Sequence, residues 1–321
     1  MPRMKDATPR QHEHGAVNVM VALLIIPLIG FAAIAVDVAA LWADRQQLQT
    51  GADAAALGIA QDCGKNDCGT PSATAQALAT PNKNDGQVTA TVLTPALSPS
   101  TGSVTVETAG VREHWFAPVL GLDRSDVSAR ATASWGAPSG GTAVLPLAFS
   151  WCEFMLQTGG GLPSTTVEHT ILFTKSAKTS CTGPSNNVVP GGFGWLEDDG
   201  AACTTSTSID EVVRSSPGAS VPSECAPADF AELQGRTVLL PIFDDAGGVG
   251  SNAWYRLYGY AAFTITGYHF VGQFSWSNEG ECKGGKQCVQ GHFTRFVELS
   301  EAFSYSTTAP SMGASVVALR Q

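Results

Sequence analysis

Gly15 to Val36 reads GAVNVMVALLIIPLIGFAAIAV, 22 residues without a charge. As a helix this run rises about 33 Å at 1.5 Å per residue, enough to cross the ~30 Å hydrocarbon core of a bilayer. A core helix of a soluble domain seldom stays uncharged for so long, so residues 16–36 read as a membrane span. Gly15 and Asp37 bound the span, and Pro27 and Gly30 lie within it. Proline lacks the amide hydrogen of a helical turn, so a kink is expected at Pro27, which a membrane helix tolerates.

Charge sets the direction. Arg3, Lys5 and Arg10 precede the span, against Asp6 and Glu13, whereas Asp37, Asp44, Arg45 and Asp53 follow it. The excess of basic residues on the first side predicts a cytoplasmic tail at 1–15 and the bulk of the chain outside the cell membrane, in single-pass topology. A cleaved signal peptide is the competing reading. Its apolar region is shorter, roughly 7 to 15 residues, although Ala33-Ile34-Ala35 resembles a cut site.

Beyond Asp37 the helical pattern continues. Val38 to Ala60 is rich in Ala, Leu and Gln, all good helix formers. Leu41, Leu48, Ala52, Ala55 and Ile59 recur at spacings that place them on one face. That reading gives a single helix of roughly 45 residues, about 65 Å long. The small side chains at 52 and 54–56 permit close packing, either on the protein's own sheet or on a second copy, so self-association through the long helix stays open.

The helical pattern gives way to strand patterns. Gln87–Leu93 and Ser103–Thr108 alternate, and Trp115–Leu120 (WFAPVL) reads as a short amphipathic turn before Gly121. In Val127–Trp135 the apolar Val127, Ala129, Ala131, Ala133 and Trp135 alternate with polar residues, the period of a half-buried strand. Residues 37–135 are therefore expected to form an exterior helix packed on a small antiparallel sheet, an α+β unit. The Gly-Pro-rich 136–141 (GAPSGG) reads as a linker. The stretch 142–321 is expected to be mostly β, with strands at Val144–Phe149, Thr170–Thr174, Thr237–Phe243, Trp254–Ile265, Tyr268–Trp276 and His292–Leu299. Gly191–Leu196 (GGFGWL) reads as a buried glycine turn, with a binding loop as the alternative.

All eight cysteines, Cys63, Cys68, Cys152, Cys181, Cys203, Cys225, Cys282 and Cys288, lie after the span. An even number on an oxidising side of a membrane implies disulfides. Eight cysteines admit 105 pairings, and sequential pairing loses least loop entropy. The net charge of −10 lies almost wholly after the span, and no basic run occurs, which argues against a nucleic-acid partner.

Catalytic and metal patterns are weak. No Gly-x-Ser-x-Gly, phosphate-binding loop or His-Glu-x-x-His occurs. Cys282, Cys288 and His292 are spaced too widely for a structural zinc site, and a disulfide hairpin is the better reading. Asp244-Asp245 with glycines after it lacks the alternating ligands of a calcium loop. Glu197, Asp198 and Asp199 read as a solvated turn. No cofactor and no enzymatic activity are expected.

The first sixty residues resemble the TadE/TadG-like Flp pilus-assembly family. Gly15-Ala16-Val17 opens the span, Asp37 closes it within Ala-Val-Asp-Val, and Leu48-Gln49 leads into Ala52-Asp53-Ala54-Ala55-Ala56-Leu57. Val104–Trp135, with Ala-Arg-Ala-Thr-Ala, is also similar to the stretch that often comes after the helix in that family. The resemblance implies a single-pass envelope protein that helps assemble or anchor Flp pili, with other pilus-assembly or envelope proteins as partners. Some relatives are pseudopilins cut after a glycine, with Glu five residues beyond. Here that place is taken by Met20, which favours an unprocessed, TadG-like anchor. An adhesive or cell-wall-binding module, with Trp195 and Trp254 as exposed aromatics, a processed pseudopilin, and an exported hydrolase remain alternatives.

Overall fold

A computed structural model describes residues 14–99, 102–200, 202–216, 218, 220–277, 282, 285–299 and 301–320. Most of the expected tail, 1–13, lies outside the described residues. Helix α1 runs from His14 to Gly64, 51 residues that include Pro27. At 1.5 Å per residue it is about 76 Å long. Its two halves differ in exposure. From Val17 to Val36 nearly every side chain is exposed, whereas from Asp37 onward one face is buried. An exposed apolar half thus continues into an amphipathic half.

The amphipathic half lies on a sheet. Its path runs β1 (Thr89–Val92), β2 (Ser103–Glu113), β3 (Arg124–Ala143), β17 (Ala314–Arg320) and β15 (Phe296–Glu298), with β9 (Thr205–Ser208) and β16 (Phe303–Ser306) pairing with the far half of β3. Leu48, Ala52, Ala55 and Ile59 are buried and Leu41 is half-buried. Ala52, Ala55, Ala56 and Ile59 share one cluster with Val104, Val106, Ala131, Ala133, Trp135 and Val317. Alanine facing alanine brings helix and strand backbones close, and the short helix α2 (Pro71–Ala79) adds Ala75 to the same cluster.

This sheet departs from the expected small antiparallel one. It has seven strands, and β15 runs parallel to β17. The departure arises because the C-terminal strand β17 returns to pair with β3, Val317 opposite Trp135. Ser315 Oγ also donates to the Gly64 carbonyl at the end of α1, 2.8 Å away. Residues 136–141, read as a linker, instead lie inside β3. The reason is steric. A side chain at Gly136 would run into the carbonyl of Ser306 on β16, so the glycine serves close backbone approach and not flexibility.

The second sheet has the order β5 (His169–Leu172), β14 (Cys288–Thr294), β12 (Trp254–His269), β11 (Thr237–Gly247), β4 (Leu147–Ser150) and β8 (Phe193–Trp195), and β10 (Val212–Arg214) and β13 (Ser275–Trp276) pair with β12. A separate ribbon joins β6 (Ser180–Thr182) to β7 (Val188–Pro190). The expected strand Tyr268–Trp276 is divided, since Tyr268 belongs to β12 and only Ser275 and Trp276 return as β13. The expected strand His292–Leu299 is also divided, because the chain leaves β14 and joins the first sheet as β15. Helix α3 (Trp151–Thr158) has no counterpart in the sequence reading. Ser150 caps it by accepting the Cys152 amide hydrogen, and Gly159 ends it with a left-handed φ of 64°. A five-residue helix, α4 (Pro227–Ala231), precedes β11.

Four disulfides join Cys63 to Cys68, Cys152 to Cys181, Cys203 to Cys225 and Cys282 to Cys288, the sequential pairing. The core of the second sheet is aromatic: Phe149 packs on Phe263 with ring centres 4.7 Å apart, and Trp195 on Phe270 at 5.0 Å. The architecture is thus α+β, a long apolar helix leading into a mostly β body with four disulfides.

Candidate functional site

The place where α1 changes character also holds a buried polar network. Asp37 is the first charged residue after the apolar run, and it is buried. Its partners come from the tip of the β2–β3 hairpin. Oδ1 accepts the Trp115 amide hydrogen at 2.9 Å, and Oδ2 accepts those of Phe116 and Ala117 at 3.0 and 2.7 Å. Ala117–Leu120 forms one short 3₁₀ turn, so the carboxylate meets the unpaired amides at the start of that turn. Burial alone would raise the Asp37 pKa, but the three amide hydrogen bonds, with the field of His114, hold it below the ordinary aspartate value. The tip is closed by the His114 amide donating to the Asp123 carbonyl, and the His114 ring meets Ser125 Oγ at 2.8 Å.

Two turns along the helix lies a second junction. Asp44 is buried, and Lys83 Nζ stands 3.6 Å from its Oδ2 while Arg112 Nη1 stands 3.7 Å from its Oδ1. Lys83 is itself almost fully buried and donates to Asp85 at 2.7 Å, which holds that carboxylate below its usual range. Arg112 also lies over the Trp115 ring, 4.9 Å from its centre. Gln47 accepts the Asn84 amide hydrogen at 2.9 Å. A shallow cleft between helix and hairpin is lined by Asp44, Lys83, Asp85, Arg112 and Trp115. These contacts lock the hairpin and the loop after α2 to the first amphipathic turns of α1.

Chemically this junction is a brace. Asp37 is held by three amides and Asp44 by the charges of Lys83 and Arg112, and among the described residues no group of three His, Cys, Asp or Glu side chains could hold a metal ion. Other residues singled out by sequence behave structurally. Asp244 is buried and forms a paired contact with Arg256, 3.1 and 2.7 Å. Asp199 accepts from Thr204 and Ser206 in a polar turn. Cys282 is bonded to Cys288, which removes both from the zinc reading. Trp195 is fully buried with Phe193 in the Gly191–Leu196 segment, and Trp254 is half-buried, which corrects their assignment as exposed aromatics. Gly30 lies in the exposed apolar half, where an added methyl would meet nothing within 4 Å. Sequence reasoning misses the partners of Asp37 and Asp44, because 39 to 80 residues separate them and no local pattern marks such a pairing.

One helix near the N-terminus is long and apolar enough to cross a membrane, and a disulfide-stapled β body follows it. Residues 15–62 match the family model described as "Putative Flp pilus-assembly TadE/G-like". The matched stretch is α1 almost end to end, including Asp37, Asp44 and the buried stripe. No curated protein and no solved structure matched the chain.

Proposed function

We propose that the chain is a membrane-anchored Flp (tight-adherence) pilus-assembly protein, a non-enzymatic scaffold of the bacterial envelope. The observation that carries this reading is the coincidence of the family match at 15–62 with α1, whose apolar half is unburied and long enough to span. On this reading 1–15 is cytoplasmic, 16–36 spans the cell membrane once, and the β body stands outside, among other pilus-assembly or envelope partners. The four disulfides support an oxidising side for that body. The alanine stripe Ala52 to Ala60 of α1 is already covered by its own sheet, so the scaffold role does not rest on that stripe.

The test is deletion of the gene and complementation with full-length protein, read as assembled Flp pili at the cell surface. Loss on deletion and return on complementation supports the reading; unchanged piliation overturns it. Protease added to intact spheroplasts should digest the β body and spare the N-terminal tail, and the opposite pattern would reverse the orientation. Recovery of a mature N-terminus at Ala16 would make the protein a processed pseudopilin instead.

A further inference from the structure

Among the described residues outside α1, the largest concentration of exposed apolar side chains is the β2–β3 tip. Trp115 is 66% exposed, Phe116 48%, Val119 90%, Leu120 69% and Leu122 60%, all within eight residues. Single exposed apolar residues are ordinary, whereas a contiguous group on a short turn marks a contact surface. Its place in the fold identifies the contact. Thr108 of β2 donates to the Leu48 carbonyl, and seven residues further on Trp115 donates to Asp37, so the hairpin runs along α1 toward its apolar half. Asp37 pins the tip beside the last uncharged turn of the helix.

We infer that the hairpin tip, Trp115 to Leu122, is a second membrane contact, seated in the lipid interface of the leaflet where α1 emerges at Asp37. The inference rests on the membrane-anchored reading of α1. The chemistry of the tip fits that layer. Tryptophan and phenylalanine favour the headgroup boundary, and the aliphatic residues of the turn reach the acyl chains. Arg112 over the Trp115 ring and the Asp123-Arg124 pair place charge at the base of the tip, level with headgroups. The three amides that would otherwise face the apolar layer are satisfied by Asp37. With two attachments the body has one orientation over the bilayer, and α1 is not free to rotate about its axis.

Full-length protein is reconstituted in vesicles of phosphatidylcholine and phosphatidylglycerol, with a W42F background because Trp42 is also exposed near the span. Tryptophan emission is measured with phosphatidylcholine brominated at shallow acyl positions and, separately, with aqueous iodide. Bromolipid quenching that disappears on W115F, and is also lost in V119D/L120D, is the expected result. Resistance to alkaline extraction is scored in the same samples. If the protein is released, the anchor reading fails. If it stays integrated while Trp115 is quenched by iodide and not by bromolipid, the tip faces water and the inference is overturned. Shielding from both quenchers overturns it too, by showing a protein contact in place of lipid.

Discussion

Asp37 Oδ2 and the Ala117 amide lie 2.7 Å apart across 80 residues of chain, and this contact fixes the hairpin to the helix at the boundary of its apolar half. D37A removes the acceptor for three amides at once. Hydrogen exchange at Trp115, Phe116 and Ala117 should become markedly faster in D37A, while β2 amides from Val104 to Thr108 keep their protection. Uniform loss of protection across β2 would show that Asp37 supports the sheet and not the tip.

The same contact has a pH signature. The folded pKa of Asp37 is depressed, so its stabilising effect is present above the unfolded value of about 3.9. It is lost as pH falls through the lower, folded value. Protection of the three amides in the wild type, corrected for the intrinsic exchange rate, should therefore persist from neutral pH to below about 4. Loss of protection already near pH 6 would show that the Asp37 carboxylate is not what holds the three amides.

Lys83 is predicted to act through Asp44. K83M leaves a buried carboxylate with only Arg112, and removing one partner of a buried pair costs on the order of 3 kcal/mol. The double variant D44N/K83M should recover more than half of that loss, because no buried charge is stranded. Thermal unfolding in detergent checks both. Equal destabilisation in the single and double variants would argue that Lys83 contributes by packing alone.

Close packing of small side chains holds α1 on its sheet. A55L forces extra volume into a fully buried alanine site and should cost about 1 to 3 kcal/mol. A leucine at the exposed Ala32, on the apolar half, should leave the unfolding midpoint in detergent unchanged. Similar midpoints for A55L and wild type would mean that helix and sheet separate easily.

The disulfides differ in weight. On a chain-entropy account, closing the loop between Cys152 and Cys181, 29 residues apart, stabilises by about 3 to 4 kcal/mol, against about 2 for Cys63 and Cys68, 5 apart. C152S/C181S should therefore lower the unfolding midpoint more than C63S/C68S. Non-reduced mass with thiol labelling should find no free thiol in the wild type.

Local signals in the sequence are legible, and distant ones are not. The stripe Leu48 to Ile59 and the alternation Val127 to Trp135 each carry a short period that burial imposes on neighbouring residues, and the run 15–36 is legible as a continuous uncharged stretch. The sequential cysteine pairs reflect short loops. The strand at 136–141 escapes sequence reasoning because its glycines look like a linker, and only the close approach of β16, β9 and Ala302 explains them. The return of β17 and the grip of Asp37 on Ala117 escape it because pairing across hundreds or tens of residues leaves no local period. Gly191–Leu196 reads as a buried turn and Trp195 is indeed buried, but the aromatic cluster around it, Phe193 and Phe270 among it, leaves no local period.

The hydrogen bond from Ser315 to Gly64 bridges 251 residues. At synthesis rates of about 5 to 20 residues per second, the ribosome needs roughly 13 to 50 s to deliver the second residue after the first. Through that interval the end of α1 has no C-terminal strand to rest on, and the sheet beneath it is open at β3. Biogenesis of this protein therefore includes an interval in which the end of α1, with β2 and β3 already available to cover its alanine face, lacks its contact with the seven-residue strand β17.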